Sequence, residues 1–285
     1  MSDATDLNMA SRLTLNSGQS IPRLGLGVYK AAGAEATSAV VSALKEGYRH
    51  VDTAQWYENE EDVGQGVRDS GVKRKQVWLT SKYFPEDQVK STSDVLAALR
   101  TSLPKLDHED GHIDLMLIHS AAGGQEGREN IWRAFAQAQK EGWIQAIGVS
   151  NFNISHLERL PGPIPALNQI ELHPWCQQRP IVEYCQRHGI AIEAYSPLAR
   201  AEKDKWEDPV LVKICEKHSK NPGQVLIRWS LQRGFVVIPK SSNPRRIRDN
   251  GDVFDFCLDK GDMDALNGLD RGSGGAVTWN PVDQA

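Results

Sequence analysis

Short apolar runs that end in a polar residue alternate with stretches of helical period along nearly the whole chain, and few architectures accept that order. The runs are Tyr48–Thr53, Val77–Lys82, Ile113–His119, Ile144–Ser150, Ala166–Glu171, Ile190–Tyr195 and Phe235–Pro239. Helical period fills Ala36–Gly47, Glu60–Asp69, Val89–Leu103, Asn130–Lys140, Arg179–His188, Pro209–His218 and Pro222–Arg233. The last of these opens on Asn221-Pro-Gly-Gln224, an N-cap residue, a proline at the first helical position and a capping-box glutamine. Strands that are apolar throughout, each followed by a helix, predict a parallel sheet covered by helices. With Ile21–Tyr29 counted as the first, eight such strands close most simply into a (β/α)8 TIM barrel, an α/β fold. Arg12–Leu15, the turn at Asn16-Ser-Gly-Gln19 and Ile21–Tyr29 predict an N-terminal β-hairpin leading into that first strand. A doubly wound open sheet is the competing fold. Its dinucleotide form needs Gly-x-Gly-x-x-Gly after the first strand, and Gly25-Leu-Gly27-Val-Tyr-Lys30 lacks the third glycine.

No Pro/Gly/Ser-rich linker interrupts the 285 residues, so one domain is expected over 1–285, with 1–10 flexible and 271–285 a C-terminal tail. A net charge of -4 gives no general attraction to nucleic acid or anionic membrane, and neither is expected as a partner. No apolar run approaches the ~18 residues of a membrane span. The first residues carry neither a basic nor an apolar leader segment. Cys176, Cys185, Cys215 and Cys257 match no zinc or redox spacing, so no metal is expected. Free thiols suit a reducing compartment, and a cytoplasmic monomer or weak dimer is the expectation.

Active sites of (β/α)8 barrels lie at the carboxyl ends of the strands. Asp52, Lys82 and His119 each stand at such an end, and Tyr57 follows Asp52 by five positions. Taken singly, each reads more readily as part of a structural ion pair or as a satisfied core histidine than as a functional group. Taken together they place an acid, an amine, an imidazole and a phenol at one mouth. A charge there is costly unless paired or functional. A free tyrosine titrates near pH 10, and a nearby ammonium lowers that value. Tyr57 is therefore expected to be a proton donor tuned toward neutral pH, with Asp52 holding Lys82 in place. His119 can polarise a carbonyl oxygen while Tyr57 protonates it. No serine or cysteine with a paired base stands out as a nucleophile, which leaves hydride transfer from a cofactor.

Residues for such a cofactor can be named. Ser150 and Asn151 close one strand and Asn168-Gln169 lie in the next, and their polar groups could hold a carboxamide. Tyr195 offers a flat ring face, or is equally a core aromatic. The cluster Lys240-Ser-Ser-Asn-Pro-Arg245-Arg246-Ile-Arg248 enters a helix start, where phosphate binds well; a solvated charged face is the plain alternative.

With these residues in view, the chain resembles the aldo-keto reductase family over nearly its whole length. The motifs that carry the resemblance occur in family order. They are Asp52-Thr-Ala-Gln-Trp-Tyr57-Glu-Asn-Glu60, Thr80-Ser-Lys82, Leu117-Ile-His119, Ile147-Gly-Val-Ser-Asn-Phe152, Asn168-Gln-Ile-Glu-Leu-His173, Tyr195-Ser-Pro-Leu198 and Val237-Ile-Pro-Lys240-Ser. The resemblance implies an NADPH-dependent carbonyl reductase, with Tyr57 as general acid, Lys82 and Asp52 as its tuning pair, and His119 orienting the carbonyl. It implies that Ser150, Asn151 and Gln169 hold the nicotinamide amide and that Tyr195 stacks on the ring. Ser196 and Leu198 would wrap the pyrophosphate. Lys240, Ser241 and Arg246 would hold the 2′-phosphate of NADPH/NADP+, with Asp249 and Asn250 near the adenine. Arg245 stands where the family commonly has an acid, which leans the same way, toward NADPH over NADH.

Two departures bear on substrate. Phe84 and Ser120 replace tryptophans common in the family, and the segment Ala121–Gly127 is small and glycine-rich. With a short tail, this suggests an open pocket walled by Tyr29, Trp56, Phe84 and Ser120, accepting bulky or varied carbonyls. Two other functions compete: a Schiff-base aldolase using Lys82, and a regulatory protein that binds the cofactor without turnover. The first leaves the basic cluster unexplained. The second leaves a costly buried charge pair without a purpose.

Overall fold

The computed structural model describes residues 6–85, 90–107 and 111–283. The apolar runs form eight parallel strands in a single sheet. These are β3 (Leu26–Gly27), β4 (His50–Asp52), β5 (Trp78–Tyr83), β6 (Ile113–Ile118), β7 (Ile144–Ser150), β8 (Leu167–Glu171), β9 (Ala191–Tyr195) and β10 (Val236–Val237). They lie side by side in chain order from β3 to β10. The ring closes where Leu24 bridges Val237 and Gly27 bridges Lys240, both in parallel. Gly25 donates its N–H to Val237 O at 2.9 Å, and Val237 donates to Arg23 O at 2.8 Å. The first two strands, β1 (Arg12–Thr14) and β2 (Ser20–Pro22), form the antiparallel hairpin, with Leu13 opposite Ile21. The expected α/β barrel with its N-terminal hairpin is the fold.

Strand alternation sorts the side chains. Leu115 and Leu117 point into the barrel with Ala146, Leu167 and Val236, while Met116 and Ile118 join the core shared with the helices. The hairpin contributes Leu15 and Ile21 to the inner cluster, so it stoppers the amino-terminal mouth and leaves the carboxyl mouth free. Gly148 is required inside this packing. A Cβ there would lie 2.6 Å from Leu167 O and 2.7 Å from Leu117 Cδ2.

The helices follow the predicted order, with informative differences. The one expected over Asn130–Lys140 starts at Gly124, so most of the glycine-rich segment is its first turn. Three glycines there hide the apolar period that marks the rest, and Gly123, at φ 83°, is the left-handed residue that caps the helix. The helix expected to stop at Leu103 runs Thr92–Leu106, with Pro104 in its last turn. Its expected start at Val89 lies outside the described residues, and Ser91 and Asp94 form a capping box instead. The final strand shrinks from the expected Phe235–Pro239 to Val236–Val237. Among the described residues, three α-helices were not anticipated, Ile154–Glu158, the single turn Lys203–Trp206 and Lys260–Asn267. Of the first ten residues, 1–5 lie outside those described, and Leu7 is buried in the core.

Gly148→Ala is expected to cost about 1–3 kcal/mol through overpacking. Denaturant unfolding measures it, and a variant as stable as the parent would contradict the inner packing described.

Candidate active site

Asp52 ends β4, Lys82 is the fifth residue of β5 and His119 follows β6 directly. Neighbouring parallel strands bring their ends together, and the side chains meet at the carboxyl mouth. Lys82 is fully buried. Its Nζ donates to Asp52 Oδ1 at 2.5 Å and to Thr53 O at 2.8 Å. The same Nζ lies 5.0 Å from the centre of the Tyr57 ring. The Tyr57 and His119 rings meet edge to face with centroids 5.5 Å apart. All four residues singled out in the sequence share one site.

The turn that carries Tyr57, Gln55–Tyr57, is tied down on both sides. Gln55 Nε2 donates to Ala98 O at 3.0 Å and Ser102 Oγ at 2.9 Å. Asn59 Nδ2 donates to Val28 O at 3.1 Å and Ala31 O at 2.7 Å. Backbone strain gathers at the same mouth. Lys30, Glu58, Asn151 and Ser196, which follow β3, β4, β7 and β9, have φ of 62, 56, 60 and 47°. Non-glycine residues hold such values only where surrounding structure compels them, which is common at active sites.

The electrostatics depart from expectation at the phenol. Burial pushes Tyr57 well above its ordinary value, and Asp52, Tyr29 and Glu193 push it the same way. The expected lowering by Lys82 does not prevail, because the lysine's charge is largely answered by Asp52 at 2.5 Å. Tyr57 is a proton carrier at any ordinary pH. Burial, and then Lys82, drive His119 well below the usual imidazole range, so it is neutral. Its Nδ1 is buried without a hydrogen-bond partner.

Aromatic rings wall the site. Trp56 stacks near Tyr29 at 6.2 Å and near Phe84 at 5.9 Å, and Phe84 lies 5.5 Å from His119. Ser120, expected in the pocket, is fully buried, and its hydroxyl accepts the N–H of Ala122 at 3.1 Å. A further wall comes from the tail, which the sequence reading treated only as short. Trp279 stands 6.4 Å from Phe84 and is 56% exposed. Buried Glu171 holds this tail, accepting the N–H of Val277 at 2.6 Å and of Thr278 at 3.1 Å, with the Thr278 hydroxyl. The Tyr195 hydroxyl lies 3.3 Å from Trp279 O. Gly275 allows the approach, since a Cβ there would fall 1.7 Å from Trp175 O. Glu171 was missed, though an acid inside an apolar strand is the same signal that marked Asp52. Glu193, equally buried on β9, was missed for the same reason.

Around the rest of the mouth lie the residues named for a cofactor. Asn151 Nδ2 donates to Ser150 Oγ at 3.0 Å and His119 O at 3.2 Å, and Asn151 Oδ1 accepts from Tyr195 OH at 3.0 Å. Gln169 differs from expectation. Both hydrogens of its amide serve carboxylates, Asp52 Oδ2 at 2.8 Å and Glu193 Oε2 at 2.9 Å, leaving its carbonyl oxygen for a carboxamide. After β9, Ser196 is left-handed at φ 47°, and beyond Leu198, at φ -85°, left-handed backbone runs over Ala199, Arg200 and Ala201. A Cβ on Gly223 would lie 3.6 Å from both Leu198 Cδ2 and Asn250 Oδ1, so glycine leaves a cradle between them.

Next to that cradle, helix Pro244–Gly251 begins on Asn243, whose Oδ1 accepts the N–H groups of Arg245 and Arg246 at 3.0 and 3.2 Å. Lys240 and Arg246 are exposed, and neither has an ion-pair partner among the described residues. Ser241 lies buried beside them, with Asp249 and Asn250 on the same short helix. Arg248 is committed to Glu46 at 3.0 Å. Two uncommitted cations, a hydroxyl and a helix start fit a phosphate-bearing group.

Known proteins place these features. The model of the aldo/keto reductase family matches residues 23–271. The chain is 43% identical to the glyoxal reductase of Bacillus subtilis, over 93% of its own length and 94% of that protein. It is 41% identical to the methylglyoxal reductase DkgA of Escherichia coli, covering 91% and 94% respectively. An aldo/keto reductase structure from Brucella melitensis superposes with a TM-score of 0.86 at 45% identity, covering 92% of this chain and all of that one. A substituted form of Gox0644 solved in complex with NADPH superposes with a TM-score of 0.88 at 39% identity, covering 97% and 99%. With a barrel, a tetrad and relatives that all agree, the chain belongs to the aldo/keto reductase family.

Proposed function

We propose that this protein reduces aldehydes and ketones to alcohols with NADPH, and that Tyr57 gives the proton. The observation that carries the reading is the Lys82–Asp52 pair at 2.5 Å beneath the Tyr57 ring. Bound NADPH supplies the hydride. Neutral His119 donates a hydrogen bond that orients the carbonyl oxygen toward Tyr57. Protonated Tyr57 gives that oxygen its proton as negative charge develops there, and the nearby ammonium stabilises the phenolate left behind. Asp52 and Thr53 O keep the ammonium in place while this happens. The aromatic walls exclude water from the reacting carbonyl.

The geometry around the mouth supports a reading of the cofactor residues. Ser150, Asn151 and the Gln169 carbonyl oxygen hold the carboxamide, and Tyr195 backs the ring. Ser196 and Leu198 border the pyrophosphate path, with Asp249 and Asn250 toward the adenine. Lys240, Ser241 and Arg246 take the 2′-phosphate, which favours NADPH over NADH. An aldolase fits less well, because Lys82 is fully buried with two acceptors on its Nζ and has no open approach for a carbonyl carbon. The relatives named for glyoxal and methylglyoxal make short oxoaldehydes the first substrates to try. The roomy pocket suggested by Phe84 is bounded by Trp279, so bulky carbonyls must pass that ring.

Tyr57→Phe is expected to lower kcat at least about 100-fold while NADPH binding, read by fluorescence titration, stays within a few-fold of the parent. Normal turnover in that variant would refute the assignment. Arg246→Ala should weaken NADPH about tenfold or more and leave NADH nearly unchanged, because it removes a charge-assisted phosphate contact. Equal weakening of both would show that Arg246 does not read the 2′-phosphate. Trp279→Ala should raise kcat/KM for a bulky ketone relative to methylglyoxal by about tenfold, the scale of a pocket-wall change. Glu171→Gln should move the ratio the same way. An unchanged ratio in both would remove the tail from the pocket.

A further inference from the structure

Beneath the tetrad, inside the barrel, sits a second carboxyl that the proposed chemistry does not use. Glu193 of β9 is fully buried. Its flanking strand partners are Gln169 on β8 and apolar Val236 on β10. Across the barrel lie His50 and Asp52 of β4, Lys82 of β5 and, above them, Tyr57. The amide nitrogen of Gln169 bridges the two carboxyls, at 2.8 Å from Asp52 and 2.9 Å from Glu193.

The two acids are not equally served. Asp52 receives Lys82 on one oxygen and Gln169 on the other. Glu193 receives only Gln169, and its Oε1 has no hydrogen-bond partner. The nearest cationic candidate for that oxygen is His50 Nε2 at 3.6 Å. Burial holds that imidazole neutral, with its pKa pushed down to about 3. One ammonium therefore faces two carboxyls. An ionised oxygen buried without a partner is among the costliest groups a protein can hold, whereas a carboxylic acid in the same place is not. The proton belongs on Glu193 and the charge on Asp52.

We propose that Glu193 is a positioning residue for the reaction: as a neutral acid it fixes Gln169 against Asp52 and spares Tyr57 a second negative charge. The proposal rests on the reductase reading given above. Burial and Asp52 push the Glu193 carboxyl up to about 8. Below that pH the acid is neutral and the phenolate formed during proton transfer faces only the paired Asp52. Above it, Glu193 ionises and opposes phenolate formation, so turnover falls on the alkaline side. Tyr57 itself, held well above its ordinary value, is not the source of that fall.

Two measurements on the intact protein test this. The first is the pH dependence of kcat for methylglyoxal reduction from pH 6 to 10, in the parent, Glu193→Gln and Glu193→Asp. The parent should lose about tenfold per pH unit once Glu193 ionises, if one proton controls the step. Glu193→Gln should lose that limb, and Glu193→Asp, which keeps an acid, should retain one. An alkaline limb at the same place in Glu193→Gln overturns the proposal. The second is infrared difference spectroscopy between pH 7 and pH 10, which needs no turnover. A protonated-carboxyl band that disappears at high pH in the parent and is missing from Glu193→Gln supports the neutral acid. A parent spectrum at pH 7 without that band overturns it. If no carbonyl is reduced, the reductase reading fails, and the infrared band still decides the state of Glu193.

Discussion

An ammonium with no access to water must be answered by a carboxylate, and in this barrel the answer is Asp52, 2.5 Å from Lys82 Nζ. Much of the site is arranged around that pair. Thr53 O takes a second hydrogen of the ammonium, and Gln169 takes the free oxygen of Asp52. Through Gln169 the pair reaches Glu193, and through the face of its ring Tyr57 sits over the ammonium. Removing either charge alone would strand the other in a low-dielectric interior, which costs several kcal/mol. Such a pair is weak as a source of stability, and its retention is better explained by the phenol that it faces.

The barrel supplies the convergence. Parallel strands in chain order bring the ends of β4, β5 and β6 side by side, so residues 52, 82 and 119 become neighbours. The hairpin closes the opposite mouth with Leu15 and Ile21, leaving one open end. Strained left-handed residues after β3, β4, β7 and β9 ring that end. The rigid parts thus lie in the strands, and the walls that meet substrate lie on loops and the tail, where variation costs the fold least.

How far the sequence was legible follows from what sequence patterns encode. Strand and helix order was readable because burial on both faces leaves continuous apolar runs, and helices leave their own period. Asp52, Lys82 and His119 stood out because each puts a polar group at the end of such a run. The helix start at Gly124 was hidden because glycines carry no apolar stripe. The raised Tyr57 phenol was not readable, since the outcome depends on how completely the lysine's charge is answered and how dry the ring is. Trp279 escaped notice because its place depends on Glu171, 106 residues before the tail amide that it binds at Val277. The second acid, Glu193, carried the same signal as Asp52 but no nearby motif.

The central claim is that the buried pair exists to serve Tyr57. A double-mutant cycle on Asp52→Asn and Lys82→Met, read for both unfolding free energy and turnover, tests it directly. Each single variant should lose about 3–5 kcal/mol of stability by leaving an unpaired buried charge, and the double variant should regain much of it. Turnover should be lost in all three. A double variant that regains turnover along with stability would show the pair to be structural, and would contradict the account.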